Sequence, residues 1–309
     1  MGDVFNQELL AASVRLATPL LLAALGGLVA WRAGVINLAM EGFMLIGALS
    51  AALGTMWLGD SPWLGLLASV AVSVVTAALL GLAMVYVGAD QTVTGIAFNI
   101  FALGITSFTA TLISRGSGGS GIQAPLVKNV SLPVLSDLPV VGDALFNQSP
   151  LTYFAILLAF ALAIMLYRTG MGVTLRAAGE HARAADTAGI VVNRIRFWAF
   201  VFSCVCAGLA GAFLSIGYVG AFITNISQGR GYIAIAIIIL GQWRPLGTLA
   251  AAAVFGLAQA LAVRWTGDTL PIPNEAIQAL PYVLALVVVA LVGKAKGPAE
   301  EGRHYQRAA

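Results

Sequence analysis

Two polar side chains, Asn37 and Glu41, lie four residues apart in an otherwise apolar stretch, "RAGVINLAMEGFMLIGALSAALG", Arg32 to Gly54. At that spacing they share one face of a helix. A carboxylate at the centre of a membrane helix costs at least about 2.5 kcal/mol by insertion scales. The face must therefore meet something polar inside the protein. Two readings account for the pair: it lines a translocation pathway, or it caps a broken helix or bonds a neighbouring span. A second polar set follows in "GADQTVTGIAFNIFALGITSF", Gly88 to Phe108, with Asp90, Gln91, Thr92, Thr94 and Asn99. Gln91, Thr94 and Phe98 fall on one helical side.

The elements that hold these residues follow from composition. Of 309 residues, 60% are hydrophobic and 9% charged, and the mean hydropathy is +0.93. Soluble domains carry about 25% charged residues. Apolar stretches fall near 9–30, 35–58, 62–88, 92–113, 150–168, 197–221, 232–242, 246–264 and 276–293. Crossing the hydrocarbon core takes roughly 20 residues, and backbone groups in lipid must be satisfied within the segment, which demands helices. The expectation is an all-α, polytopic transmembrane helical bundle of about 8–10 membrane segments, forming a single domain over residues 1–293. Two segments leave the count open. Residues 232–242 are short, and 35–58 is a candidate for a break near Glu41.

Other classes drop out. The opening "MGDVFNQELLAASVRLATP" has acidic residues where a signal peptide is basic, and no obvious cleavage site, so it reads as mature sequence. A net charge of +3 is too small and dispersed for nucleic acid. Cys204 and Cys206 are the only cysteines. Their i, i+2 spacing sends them to different sides of a helix, against a metal pair or a disulfide. His181 has no histidine or cysteine near it in sequence, and His304 falls in a tail that reads as solvated. No nucleophile–base pair or metal-spaced histidine cluster accompanies the spans, so a membrane enzyme is disfavoured and no metal site is expected.

Orientation follows from Lys and Arg in the connections. With Arg168–Arg196 in the cytoplasm, Arg32, Arg168, Arg176, Arg183, Arg194, Arg196, Arg244, Lys294, Lys296, Arg303 and Arg307 lie inside. Arg15, Arg115, Lys128, Arg230 and Arg264 lie outside, eleven against five. Residues 114–149, rich in Gly, Ser and Pro, then form an external loop, either a connector or a docking surface for an external partner. Residues 294–309 read as a disordered cytoplasmic tail. Ala252, Gly256 and Ala260, and Ala207 with Gly211, form small-residue ladders suited to close helix packing within the chain.

Residues 169–196 form a cytoplasmic loop too polar for a span. Within it "EHARAADTAG" reads as a short amphipathic helix ended by Gly189. Ala184, Ala185 and Ala188 form its small apolar side, while Glu180, Arg183 and Asp186 are polar and Arg176 stands nearby. With no Trp, Phe or Leu to insert, it suits a shallow protein groove better than a lipid surface.

These blocks resemble a known family. "LATPLLLAALGGLVAWRAGVINLAMEGFMLIGA", the Gly88–Phe108 block, "GVTLRAAGEHARAADTAGIVVNRIRF" and "GRGYIAIAIIILGQWRPLGTLAAAAVFG" are similar to permease subunits of nucleoside-type ABC importers, within the branched-chain amino acid and simple-sugar permease superfamily. They cover most of residues 16–264. One departure is Trp31, where a charged residue is commoner before Arg-Ala-Gly.

The resemblance implies a multi-pass protein of the bacterial cytoplasmic (inner) membrane. A cytoplasmic ABC ATPase carrying ATP and Mg would drive it through Arg176, Glu180, Arg183, Ala184, Ala185, Asp186 and Gly189. A second, non-identical permease subunit would complete the pathway, and an external lipoprotein or periplasmic binding protein would deliver the small-molecule substrate. The chain would bind no cofactor, and it has no G-x-x-x-x-G-K-[ST] loop to hydrolyse ATP by that route. For a nucleoside, Asn37, Glu41, Gln91, Thr94 and Asn99 offer partners to ribose and base edges, and Phe98 or Phe101 a stacking face. The rival is a proton-coupled secondary transporter with Glu41 as the titrating group.

Overall fold

The apolar runs fold as helices, each closing its own backbone hydrogen bonds. The computed structural model describes residues 7–116, 121–131, 146–266, 273, 276–277, 279–292 and 297–305. Its helices are α1 (Gln7–Arg32), α2 (Met40–Trp57), α3 (Pro62–Gly81), α4 (Gln91–Gly116), α5 (Pro150–Arg168), α6 (Gly170–Glu180), α7 (Ala182–Thr187), α8 (Val192–Ala212), α9 (Arg230–Leu240), α10 (Pro245–Thr266) and α11 (Leu280–Val292). Seven helical stretches are long and apolar enough to cross a membrane. Two of these are α3 and α8 extended through π-helical turns, Leu82–Val87 and Phe213–Val219. The shorter α9 and α11 pack with them, and together they form the expected polytopic helical bundle.

The break near Glu41 is real. α1 ends at Arg32, residues 33–39 are not helical, and α2 starts at Met40. The other short stretch is the eleven-residue α9.

Helices α1, α2 and α8 form the buried centre, and each supplies more of the main core cluster than any other helix. They come close because small residues meet at the crossings. A Cβ on Gly211 of α8 would overlap the Met44 carbonyl of α2, and one on Gly256 of α10 would lie 2.5 Å from the Ala17 Cβ of α1. Both small-residue ladders therefore pack within the chain. α4 stands at the periphery and rests chiefly on α2.

The two ends of the bundle differ. At one, β1 (Ile122–Gln123) pairs antiparallel with β4 (Ala221–Phe222), and β2 (Val130–Ser131) with β3 (Asn147–Gln148). The described parts of the 114–149 loop lie there. Residues 117–120 and 132–145 of that loop are outside the described residues. At the other end Arg32, α6, α7 and residues 297–305 gather. The expected disordered tail does not describe 297–305, which is held by backbone hydrogen bonds. Lys294, Lys296 and Arg307 are outside the described residues.

The charge bias predicts that the α6–α7 end faces the cytoplasm. A cysteine at the exposed Asn129 should therefore react with an impermeant thiol reagent in intact cells. One at the exposed Ala184 should react only after permeabilisation. Cys204 and Cys206 are both buried and should stay silent. The reverse labelling would invert the orientation.

Candidate functional site

At about 1.5 Å per residue the eleven residues of α9 span about 16 Å, half of a roughly 30 Å hydrocarbon core. One end of α9 therefore lies within the membrane layer, and its first N–H groups lack helical partners. Glu41 supplies them. Its Oε1 accepts hydrogen bonds from Ser227 Oγ (2.5 Å) and the Gly229 N–H (2.7 Å), and its Oε2 from the Gly231 N–H (2.7 Å). Glu41 also lies in the first turn of α2. Its carboxylate thus sits between two helix N-termini, each equivalent to roughly +0.5 charge. Three donors and two dipole ends offset the desolvation of a side chain only 6% exposed. Gly229 turns the chain with φ 78°, and a Cβ on Gly231 would lie 2.6 Å from the Glu41 nitrogen. Neither position has room or conformation for a larger residue.

The unwound residues 33–39 leave backbone groups without a helical ladder, and side chains from α4 and from the segment itself take up several of them. Gln91 Oε1 accepts from the Ile36 N–H at 2.8 Å. Asn99 Oδ1 accepts from the Gly42 N–H at 2.8 Å, while its Nδ2 donates to the Leu38 carbonyl (2.8 Å) and Tyr232 Oη (3.0 Å). Asn37 folds back to accept from the Ala39 N–H at 3.0 Å and donates to Ser203 Oγ at 2.8 Å and Cys204 Sγ at 3.5 Å.

Asn37, Glu41, Gln91 and Asn99 therefore gather around one break, all buried, and each bonds backbone. Phe98 packs on Phe43 with ring centroids 4.7 Å apart. Thr94 is half-buried one turn from that ring, and Phe101 and Tyr232 are exposed beside it. An apolar cavity of about 610 Å³ lies between α1, α5 and α10, and one of about 400 Å³ lined by Gln228, Arg230, Gln259 and Tyr282 borders the Gly229 turn. Among the described residues no cluster of three His, Cys, Asp or Glu could hold a metal.

Ser227, Gly229, Gly231 and Tyr232 were not singled out from the sequence. The signal was present in "SQGRGY": a serine and two glycines ahead of an apolar run are the makings of an anion-binding helix N-terminus.

The loop carries two helices, split at His181 (φ −148°, ψ 79°). Gly189 ends α7 in the left-handed region (φ 86°), and the Gly189 and Ile190 N–H groups close on Asp186 and Ala185 carbonyls. Arg176 lies over the Tyr167 ring at 5.2 Å. Glu180 approaches Arg32 at 3.9 Å and accepts from the Ala299 N–H. The alanine side divides. Ala185 is 3% exposed and packs inward on Ala178, Ala182 and Val192, whereas Arg183, Ala184 and Ala188 face outward and Asp186 is half-buried. The surface open to a partner is therefore Arg183, Ala184, Thr187 and Ala188, with Met171, Val173 and Val191 also exposed.

A bundle of seven membrane-length helices, with a short helix capped inside it and a two-helix loop at one end, is that of a polytopic membrane protein. The chain belongs to the family described as the branched-chain amino acid transport system / permease component, which matches residues 9–291. It is similar to the guanosine ABC transporter permease protein NupQ of Bacillus subtilis, 36% identical over 95% of both chains. It is also similar to the nucleoside ABC transporter permease protein NupC of Lactococcus lactis, 33% identical over 99% of both. The putative glucose ABC transporter permease protein TsgC13 of Haloferax volcanii is 35% identical over 84% of this chain and 78% of that one. No solved structure matches.

Replacing Glu41 with Gln puts an amide NH2 where an N–H already points inward, which orphans a buried donor at a cost of about 1–3 kcal/mol. Glu41→Gln and Gly231→Ala should both lower the apparent Tm of the detergent-purified protein. Thr94→Ala should stay within about 0.5 kcal/mol of the parent. An unchanged Tm for Glu41→Gln would show that the cap contributes nothing.

Proposed function

We propose that this chain is the membrane-spanning subunit of an ATP-driven importer that carries nucleosides, or related sugar-containing small molecules, into the cytoplasm. The observation that carries this reading is the end-to-end similarity to the guanosine and nucleoside permeases, over 95% and 99% of this chain. Similarity to the putative glucose permease supports the wider sugar-containing class.

A cytoplasmic ABC ATPase, holding ATP and Mg, docks on the outward face of α6–α7. A second, non-identical permease subunit completes the pathway in the bacterial inner membrane, and an external binding lipoprotein or periplasmic protein delivers substrate. The chain itself holds no cofactor. Asn37, Glu41, Gln91, Phe98 and Asn99 fix the shape of the pathway wall, and Thr94, Phe101 and Tyr232 present the surface a nucleoside slides over. Amide and hydroxyl groups meet ribose, and an aromatic face meets the base. The proton-coupled alternative draws no support from the site, because both Glu41 oxygens are engaged by fixed donors.

The test is uptake of labelled guanosine by proteoliposomes holding the chain with its ATPase, second permease and binding protein. Uptake should require ATP, and the chain alone should accumulate nothing with ATP or a proton gradient. Gradient-driven uptake by the lone chain would overturn the ABC reading. ATP-driven uptake of glucose without guanosine would overturn the nucleoside assignment.

A further inference from the structure

Residues 297–305 cross the basic end of the bundle and tie three parts of the chain together. The Glu300 N–H donates to the Gly179 carbonyl at the end of α6 (3.0 Å), and the Gly302 N–H to the Gly34 carbonyl in the unwound segment (3.1 Å). The Ala299 N–H donates to Glu180 Oε2 at 3.3 Å. Gly302, with φ 72°, lies against Ile36, and the His304 ring lies against Gly88 in the α3–α4 turn. Tyr305 packs on the alanine cluster of α6 and α7.

Arg196 of α8 sits at the centre, 2% exposed. It donates to the Ala178 carbonyl (3.1 Å) and the Arg303 carbonyl (2.6 Å), and it pairs with the Glu300 carboxylate at 3.5 Å. A buried guanidinium needs such partners, because an uncompensated buried charge is strongly destabilising. Two of these three partners come from the 297–305 segment. Beneath the guanidinium the chain is glycine on both sides. A Cβ on Gly34 would lie 2.9 Å from Arg196 Nη2, and one on Gly179 would overlap the Arg32 carbonyl. The end of α6 and the start of the unwound segment therefore touch backbone to backbone, with the 297–305 segment bonded to both.

We propose that residues 297–305 are a transmission strap, and that Arg196 is a positioning residue that holds it between the α6–α7 loop and the unwound segment leading to Glu41. The proposal rests on the importer reading, in which an ATPase moves α6–α7. Residues 33–39 have no helical ladder and deform more readily than the helices they join, as hinge segments do. A shift of α6 carries Gly179 and Glu180, and through Glu300 and Gly302 it draws on Gly34 and Ile36. Ile36 is in turn bonded to Gln91, one turn before Thr94 on α4.

The test uses the complete complex and needs no transported substrate, so a failure of the nucleoside assignment leaves it intact. Thr94→Cys serves as reporter, with maleimide labelling measured with and without ATP plus vanadate. ATP hydrolysis and ATPase co-purification are measured in parallel. With the strap intact, trapping should change the labelling rate. Deletion of 297–309 and Gly302→Val should shrink that change about 2- to 30-fold, the range for residues on a transmission route, while hydrolysis per assembled complex persists. Glu300→Gln should give a smaller loss. If the deletion does not assemble, Gly302→Val decides alone, since it disturbs one turn and its contact with Ile36. Labelling that ignores ATP with the strap intact, or an unreduced change in Gly302→Val, would overturn the proposal. A fall that only tracks lost ATPase co-purification would also overturn it, and would make the segment a static staple.

Discussion

A carboxylate held between two helix N-termini inside the membrane layer is the constraint on which the rest of the fold depends. α9 cannot begin within the hydrocarbon layer unless something accepts its first N–H groups. Glu41 cannot be buried there unless something donates to it. Each requirement satisfies the other, through Ser227, Gly229 and Gly231. From that joint the unwound 33–39 segment follows, because α2 must start at the depth where α9 starts. Gln91, Asn99 and Asn37 then take up the backbone groups that the break exposes.

This arrangement gives a permease a soft element inside a stiff one. The α1–α2–α8 centre is closely packed, with glycines at the crossings, and such interiors transmit displacement rather than absorb it. The unwound segment has side-chain bonds in place of a helical ladder, and it lies between the basic end and the peripheral α4. The buried amides of Asn37, Gln91 and Asn99 hold that segment in place.

Much of this was legible in the sequence, and the reasons are physical. Long apolar runs fix the helical class, since lipid leaves the backbone no alternative. Asn37 and Glu41 stood out because a polar pair in such a run is costly, and the broken-helix reading was one of two that the spacing allowed. What covered them was not legible. Ser227 and Gly231 are about 190 positions away, and hydrogen-bond partners across that distance leave no local periodicity. In the short helix, Ala184 and Ala185 look alike in sequence, but a six-residue helix with one small apolar side gives no means of telling which alanine packs inward. The 297–305 segment is polar and glycine-containing, the signature of disorder, yet its order comes from backbone bonds and the buried Arg196. Composition does not encode either.

Amide hydrogen exchange around residues 224–233 tests the central joint most directly. In the parent protein Gly229 and Gly231 should be strongly protected, although each sits at the start of a helix where amides ordinarily exchange fast. In Glu41→Ala that protection should collapse there and in residues 33–43, while the α1–α8 crossing stays protected. Gly229 and Gly231 amides that exchange equally slowly with and without the Glu41 carboxylate would contradict the joint, and with it the reason for the broken helix.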